Sequence, residues 1–259
     1  MTSENNLERF KNAIGKALDE FEHRLEQQRL FQVQNTLLKT LQQEIVKTDY
    51  CSSETIKDLS TQYEDFYIRL SETGRSYENI VTEKSLVDAY SAFEKLLFDC
   101  FCSLYEFFPK FLGTEVKVNT IDFFIDGNMD ICRKNIIELH VKSFIQANHI
   151  KIIIDGFKKQ FDIKAIDINE NDMNLLHEIS LVRNLIIHNN SIVNRTYKES
   201  IKKFLKNKEK YFFNEEDTVL HKLELLLEDI KELSEKISTQ IAEAILNDAE
   251  RLYLHHENK

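Results

Sequence analysis

The sequence predicts an all-α protein, and three observations carry that prediction. Only five glycines and one proline occur in 259 residues, so little interrupts a helical backbone. Leucine, isoleucine, glutamate and lysine dominate, all compatible with helix interiors. Apolar residues recur at three- and four-residue spacing over long stretches, as on a helix with one buried face.

Taken in order, residues 7–47 set Leu7, Phe10, Ile14, Ala17 and Phe21 on one face, which Leu37, Leu38, Leu41 and Ile45 continue. A second helix over 53–70 carries Ile56, Leu59, Tyr63, Phe66 and Leu70. The two read as an antiparallel hairpin with its hinge at 48–52, ended by Thr73, Gly74 and Arg75. Residues 1–75 are therefore expected to form an N-terminal accessory hairpin, and 76–259 a helical domain.

That domain opens with an aromatic-rich helix over 82–108, stopped by Pro109. An irregular stretch over 113–127 follows, then helices over 129–147 and 150–161. The run KIII at 151–154 is also compatible with a short strand. A helix over 171–188 contains the stretch RNLIIHNN, and Thr196 and Glu199 have the capping-box spacing that starts another short helix. A long helix over 217–254 sets Leu220, Leu223, Leu227, Ile230, Ile237, Ile241 and Ala244 near heptad spacing, enough for a bundle seam or coiled-coil contact.

With 42% hydrophobic residues the chain can bury a core, and no apolar run approaches the ~20 residues of a membrane span. The polar start MTSENNLERF has no signal-peptide core, which predicts a cytoplasmic protein. Cys51, Cys100, Cys102 and Cys132 lack metal-ligand spacing and read as buried reduced thiols. Without a secretory signal, the glycosylation-like tripeptides at Asn189 and Asn194 carry no meaning. A formal charge of −10 argues against broad non-specific nucleic-acid binding. A local basic patch stands against that balance: Arg195, Lys198, Lys202, Lys203, Lys206, Lys208 and Lys210, interrupted by Glu199 and Glu209. It is either a solvated face or a track for a phosphate backbone.

The helix containing RNLIIHNN places polar groups unusually. At about 100° per residue, Ile179, Val182 and Ile186 fall within about 40° of Leu175, and the four form the expected core stripe. His177, Asn184 and His188 cluster opposite, flanked by Leu181 and Leu185 on one side and by Arg183 and Ile187 on the other. A polar seam with aliphatic borders predicts contact with another surface. Arg183 and His188 together suit phosphodiester chemistry. Arginine neutralises phosphate through paired hydrogen bonds, and histidine moves protons near neutral pH. RNA supplies its own nucleophile, the 2′-hydroxyl, so neither metal nor cofactor is required. Cleavage would leave a 2′,3′-cyclic phosphate and a 5′-hydroxyl. It needs both a base and an acid, which a two-fold dimer laying this seam on its copy would supply.

Arg-x-x-x-x-His spacing alone is unspecific, since Arg251 and His256 repeat it in the tail, where His255 and His256 read as terminal residues. The surroundings add more. Asn184 follows the arginine, aliphatics fill the gap, and Asn189 and Asn190 can end a helix in left-handed geometry. The segment EISLVRNLIIHNNSIVN, from Glu178 to Asn194, resembles the signature of HEPN domains, especially the ribonuclease and abortive-infection branches. The earlier run SLVDAYSAFEKLLFDCFCSLYEFFP resembles that domain's first long helix. The resemblance covers about residues 80–250 and matches the family pattern at Arg183, Asn184 and His188.

It implies a HEPN-like helical bundle that dimerises through its motif helices. It also implies a metal-independent endoribonuclease, used as a toxin or antiviral effector and controlled by a regulatory or antitoxin partner. Arg183, Asn184 and His188 are then catalytic. Asn189, Asn190, Arg195, Tyr197, Lys198 and Lys202 are candidates for contacting RNA. Two alternatives stand beside this reading. The Arg183/His188 pair could be buried polar residues tying helices together, or the chain could be a non-catalytic interaction or nucleotide-binding module in a defence complex.

Overall fold

The computed structural model describes residues 3–47, 75–112, 129–206 and 208–257, with isolated positions between 61 and 72. Seven α-helices account for most of them: α1 Ser3–Lys47, α2 Tyr77–Phe107, α3 Met129–Ala147, α4 Ile150–Phe161, α5 Glu170–Asn189, α6 Arg195–Ser200 and α7 Leu223–Glu257. The described residues contain no β-strand, only one antiparallel bridge between Ile192 and Thr218. The all-α expectation holds. The second helix of the expected hairpin and the stretch 113–127 lie outside the described residues.

Helix α2 is the central element and packs against α1, α3, α4, α5 and α7. Its N-cap is Ser76, whose hydroxyl accepts from the Asn79 amide, so α2 starts five residues before the position the periodicity suggested. Pro109 ends it as expected, because proline cannot donate the next helical hydrogen bond. Leu86, Phe93, Leu97, Cys100, Phe101 and Leu104 are fully buried along its length. Phe101 is the hub of an aromatic cluster, stacked on Phe157 at 4.1 Å and edge-on to Phe144 at 5.4 Å. Gly156 permits that closeness, since a Cβ there would meet the Phe101 and Phe144 rings at 3.0 Å. Segment 151–154 is helical, so the strand alternative is excluded: Ile150, Ile153, Ile154 and Phe157 form one buried helical face.

Helix α1 is buried over Phe10, Ile14, Ala17, Phe21 and Leu25, against α2 and α7. These residues belong to the same core as the rest, so a boundary at residue 75 does not divide the packing. Beyond Leu25 the apolar face emerges. Leu37, Leu38 and Leu41, expected to continue the buried stripe, are each more than half exposed. Polar contacts hold this half instead: Tyr77 donates to Asn35 Oδ1 at 2.6 Å, and Lys39 pairs with Glu78 at 2.5 Å.

Helix α7 begins at Leu223, later than expected, because residues 216–219 make a backbone clasp. The Val193 amide donates to Asp217 O, Glu216 to Val193 O and Val219 to Ser191 O, at 2.8–2.9 Å. The capping-box reading at Thr196 is likewise displaced. Asn194 is the N-cap of α6, its side chain accepting from the Tyr197 amide at 2.9 Å. Burial pushes the Cys100 thiol up to about 12, as expected of an inert core thiol. Cys51 lies outside the described residues.

Candidate functional site

Helix α5 is fixed at both ends by asparagines. The Asn169 side chain accepts from the Asp172 amide at 2.8 Å, and Asn190 ends the helix with φ 50° and ψ 37°, the left-handed cap expected of it. Ser191 follows at φ 64°, fully buried, and its hydroxyl donates to Glu83 of α2. Arg75 holds the same carboxylate at 3.2 Å. The turn immediately after His188 is thus clamped onto the central helix. Neither Glu83 nor Ser191 carried a signal in the sequence, because the pairing spans 108 residues.

Arg183 sits between core and solvent, its side chain 23% exposed. One guanidinium nitrogen lies 3.4 Å from Glu94 Oε2 on α2, and another donates to Asn184 Oδ1 at 3.0 Å. The guanidinium carbon lies 5.8 Å from the Tyr90 ring centre, a cation–π contact. Its Nε–H is buried with no acceptor. Burial raises the Glu94 carboxyl above its ordinary range, and the Arg183 charge opposes that shift. The arginine is therefore paired, but weakly, and keeps donors for a further acceptor.

Asn184 and His188 are exposed, one turn apart on the same face, with Ile187 44% exposed beside them. Arg183 and Asn184 line a cleft of about 510 Å³ between α2, α3, α4 and α5; His188 lies outside it, on the last turn.

His177 departs from expectation. It was expected on the polar seam, yet it is only 4% exposed, with its ring 5.3 Å from His149 and 5.2 Å from Phe204. Both ring nitrogens lack partners. Burial, then the nearby His149 and Lys151, lower its pKa to about 4. The physical reason is cover: His149 at the start of α4 and Phe204 of the π-helical turn Ile201–Leu205 pack on the His177 ring, whereas Asn184, Ile187 and His188 further along α5 are exposed. The buried arc is also wider than the expected stripe, taking in Leu176 and Leu185, while Leu175 and Ile186 are only half-buried.

Sequence reasoning also missed Glu178. It is fully buried and accepts the backbone amides of Lys210 and Tyr211, each at 2.8 Å. Burial raises its pKa to about 7, opposed by those two hydrogen bonds. Its position one turn before Val182 and two before Leu185 was the available clue.

The RNA-contact candidates separate. Tyr197 is buried, 6.3 Å from the Phe213 ring centre, and presents no face for a base to stack on. Lys198 donates to the Phe213 carbonyl and lies over the Phe212 ring at 4.6 Å. Arg195 pairs with Glu199 at 2.8 Å. The Asn189 amide donates to the Ile192 carbonyl, and exposed Asn190 serves as the helix cap. Lys202 is exposed. Lys208 and Lys210 are held by Glu170 and Asp229, so much of the basic run is internally compensated.

Among the described residues no group of three or more histidines, cysteines, aspartates or glutamates is arranged to hold a metal ion. No described helix is long and apolar enough to cross a membrane. Comparison of the chain with family models, curated proteins and solved structures found no match to any of them.

Proposed function

We propose that the protein is a metal-independent endoribonuclease of HEPN type, acting as a two-fold dimer in a toxin or antiviral role. The observation that carries this reading is the state of His188: exposed at the open end of α5, one turn from exposed Asn184 and beside half-buried Arg183. A histidine that merely tied helices together would be buried against a partner, as His177 is. Exposed Ile187 next to the pair gives a second copy of the chain something to cover.

In the dimer, His188 of one copy takes the proton from the RNA 2′-hydroxyl. The 2′-oxygen attacks phosphorus, the bond to the 5′-oxygen breaks, and His188 of the second copy protonates that leaving oxygen. Arg183 exchanges its long contact with Glu94 for the phosphate oxygens. The products are a 2′,3′-cyclic phosphate and a 5′-hydroxyl.

The Arg183–Glu94 pair supports a second reading, a non-catalytic interaction module in which the motif only ties α5 to α2. Sequencing of RNA ends after controlled expression separates the two. Wild type should generate new 5′-hydroxyl ends. His188→Ala and Arg183→Ala, shown to be folded by circular dichroism, should reduce them by roughly 10²–10⁴-fold. Wild type that cuts nothing, or folded variants that cut as well as wild type, would leave only the second reading.

A further inference from the structure

Helix α1 reverses its amphipathic character after Leu25. At about 100° per residue, with Leu30 set at zero, the buried residues Phe10, Ile14, Ala17, Phe21 and Leu25 fall between about 140° and 220°. Further along, the same side is polar: Gln28, Gln32, Asn35 and Lys39 continue that arc and are half-buried. Gln32 accepts from Lys231 of α7, while Asn35 and Lys39 meet Tyr77 and Glu78. The apolar residues move to the opposite side. Leu37 and Leu41 lie within about 20° of Leu30, Val33 and Leu38 border them, and all five are 55–59% exposed.

An aliphatic stripe that points away from its own core calls for another surface, and three observations identify it. The stripe is uncharged. Between Leu30 and Leu41 the one charged residue is Lys39, which faces inward and pairs with Glu78. Such a face has nothing to hold a phosphate backbone or an anionic membrane. In a chain of net charge −10 it is a place where two copies can meet without setting like charges together. The spacing is also self-complementary. Two copies run antiparallel about a two-fold axis between Asn35 and Thr36 set Leu30 opposite Leu41 and Val33 opposite Leu38. That register keeps the Glu26 and Arg29 pairs of the two copies apart, whereas a parallel one sets each against its equivalent. Finally, five such side chains offer on the order of 500 Å² per copy, so a pair buries about 1,000 Å², the lower limit of a specific contact.

We infer that the outer half of α1 is a self-pairing surface, on which a second copy of the chain lays the same helix antiparallel. The contact is separate from α5, so it needs no ribonuclease activity and stands or falls apart from that proposal. Its small size makes it concentration-dependent.

Sedimentation of the full chain carrying Ile187→Glu, which removes the contact proposed at α5, isolates this pairing. That protein should pass from monomer to dimer as its concentration rises from sub-micromolar to high micromolar. Adding Leu37→Glu buries a carboxylate in the contact and should weaken the dimer about tenfold or more. Adding Leu139→Glu, on α3 and equally exposed, should leave it unchanged. These side chains face solvent, so circular dichroism should stay that of wild type. Oxidation tests the register in a Cys51→Ser background. Leu30→Cys with Leu41→Cys should form disulfides between copies. Leu30→Cys alone should not, because the antiparallel register sets the two substituted positions about 17 Å apart along the helices. The inference is overturned by a dimer that survives Leu37→Glu, by ready cross-linking of Leu30→Cys alone, or by a monomer at every concentration. The last result would leave the stripe to residues 53–70 of the same chain or to a different protein.

Discussion

Adjacent residues His177 and Glu178 are both buried on α5, and burial moves their titrations in opposite directions. His177 falls from 6.5 to about 4, so between those values the unfolded chain binds a proton that the folded chain does not, and stability rises with pH. Glu178 rises from 4.5 to about 7, so over that range the folded chain holds a proton that the unfolded chain has lost, and stability falls with pH. The two slopes oppose each other across the overlap. Urea denaturation from pH 4 to 7 should therefore show a shallow dependence for these two groups together in the wild type. Glu178→Gln keeps one of the two oxygens that accept the Lys210 and Tyr211 amides, a loss that is the same at every pH, and leaves the His177 slope, so the stability of the variant relative to wild type should climb as pH rises. His177→Phe should do the reverse. Parallel curves for wild type and both variants would show that neither group titrates between the folded and unfolded states as burial requires.

At the level of elements, α5 shows which parts of the chain were legible and which were not. Its ends were readable because an end is a local event: asparagine favours both the N-cap and the left-handed C-cap, and Asn190 adopts φ 50°. Asn190→Gly keeps that geometry at little cost, whereas Asn190→Val should lose about 1–2 kcal/mol of stability in thermal or chemical denaturation. Cleavage by Asn190→Gly at the wild-type rate would assign Asn190 to the cap alone; a folded variant with lost cleavage would give its amide a role on RNA. The sides of α5 were harder to read. A helical wheel gives an angle but not what covers it, so His177 and His188 share an angle while one is under α4 and the other is open. The same blindness placed Leu37, Leu38 and Leu41 on a buried face of α1 and set Tyr197 among RNA contacts although it is in the core. Pairings such as Ser191 with Glu83, or Arg183 with Glu94, join distant segments and leave no periodic trace.

For the whole molecule, the proposed ribonuclease activity has to bring a chain with a net charge of −10 onto a polyanion. Long-range repulsion opposes the approach, while Arg183 and the open end of α5 offer a local attraction that acts within about 10 Å at 0.1 M salt. The proposed dimer would double the repulsion, but it would also place two open α5 ends side by side and supply the acid and the base together. The proposed dimer therefore makes a sharp demand on Ile187, exposed between Asn184 and His188 and free of any core role. Ile187→Glu should leave the fold and the cleft intact, since its side chain already faces solvent. At the dimer face it would set two carboxylates against each other in an apolar contact, which costs several kcal/mol. Sedimentation at sub-micromolar concentration should then show a monomer where the proposed wild-type protein is a dimer, and cleavage should fall with dimerisation while circular dichroism stays that of wild type. Wild-type cleavage by a monomeric Ile187→Glu protein would mean that one copy carries the whole catalytic set, and the two-fold site would have to be abandoned.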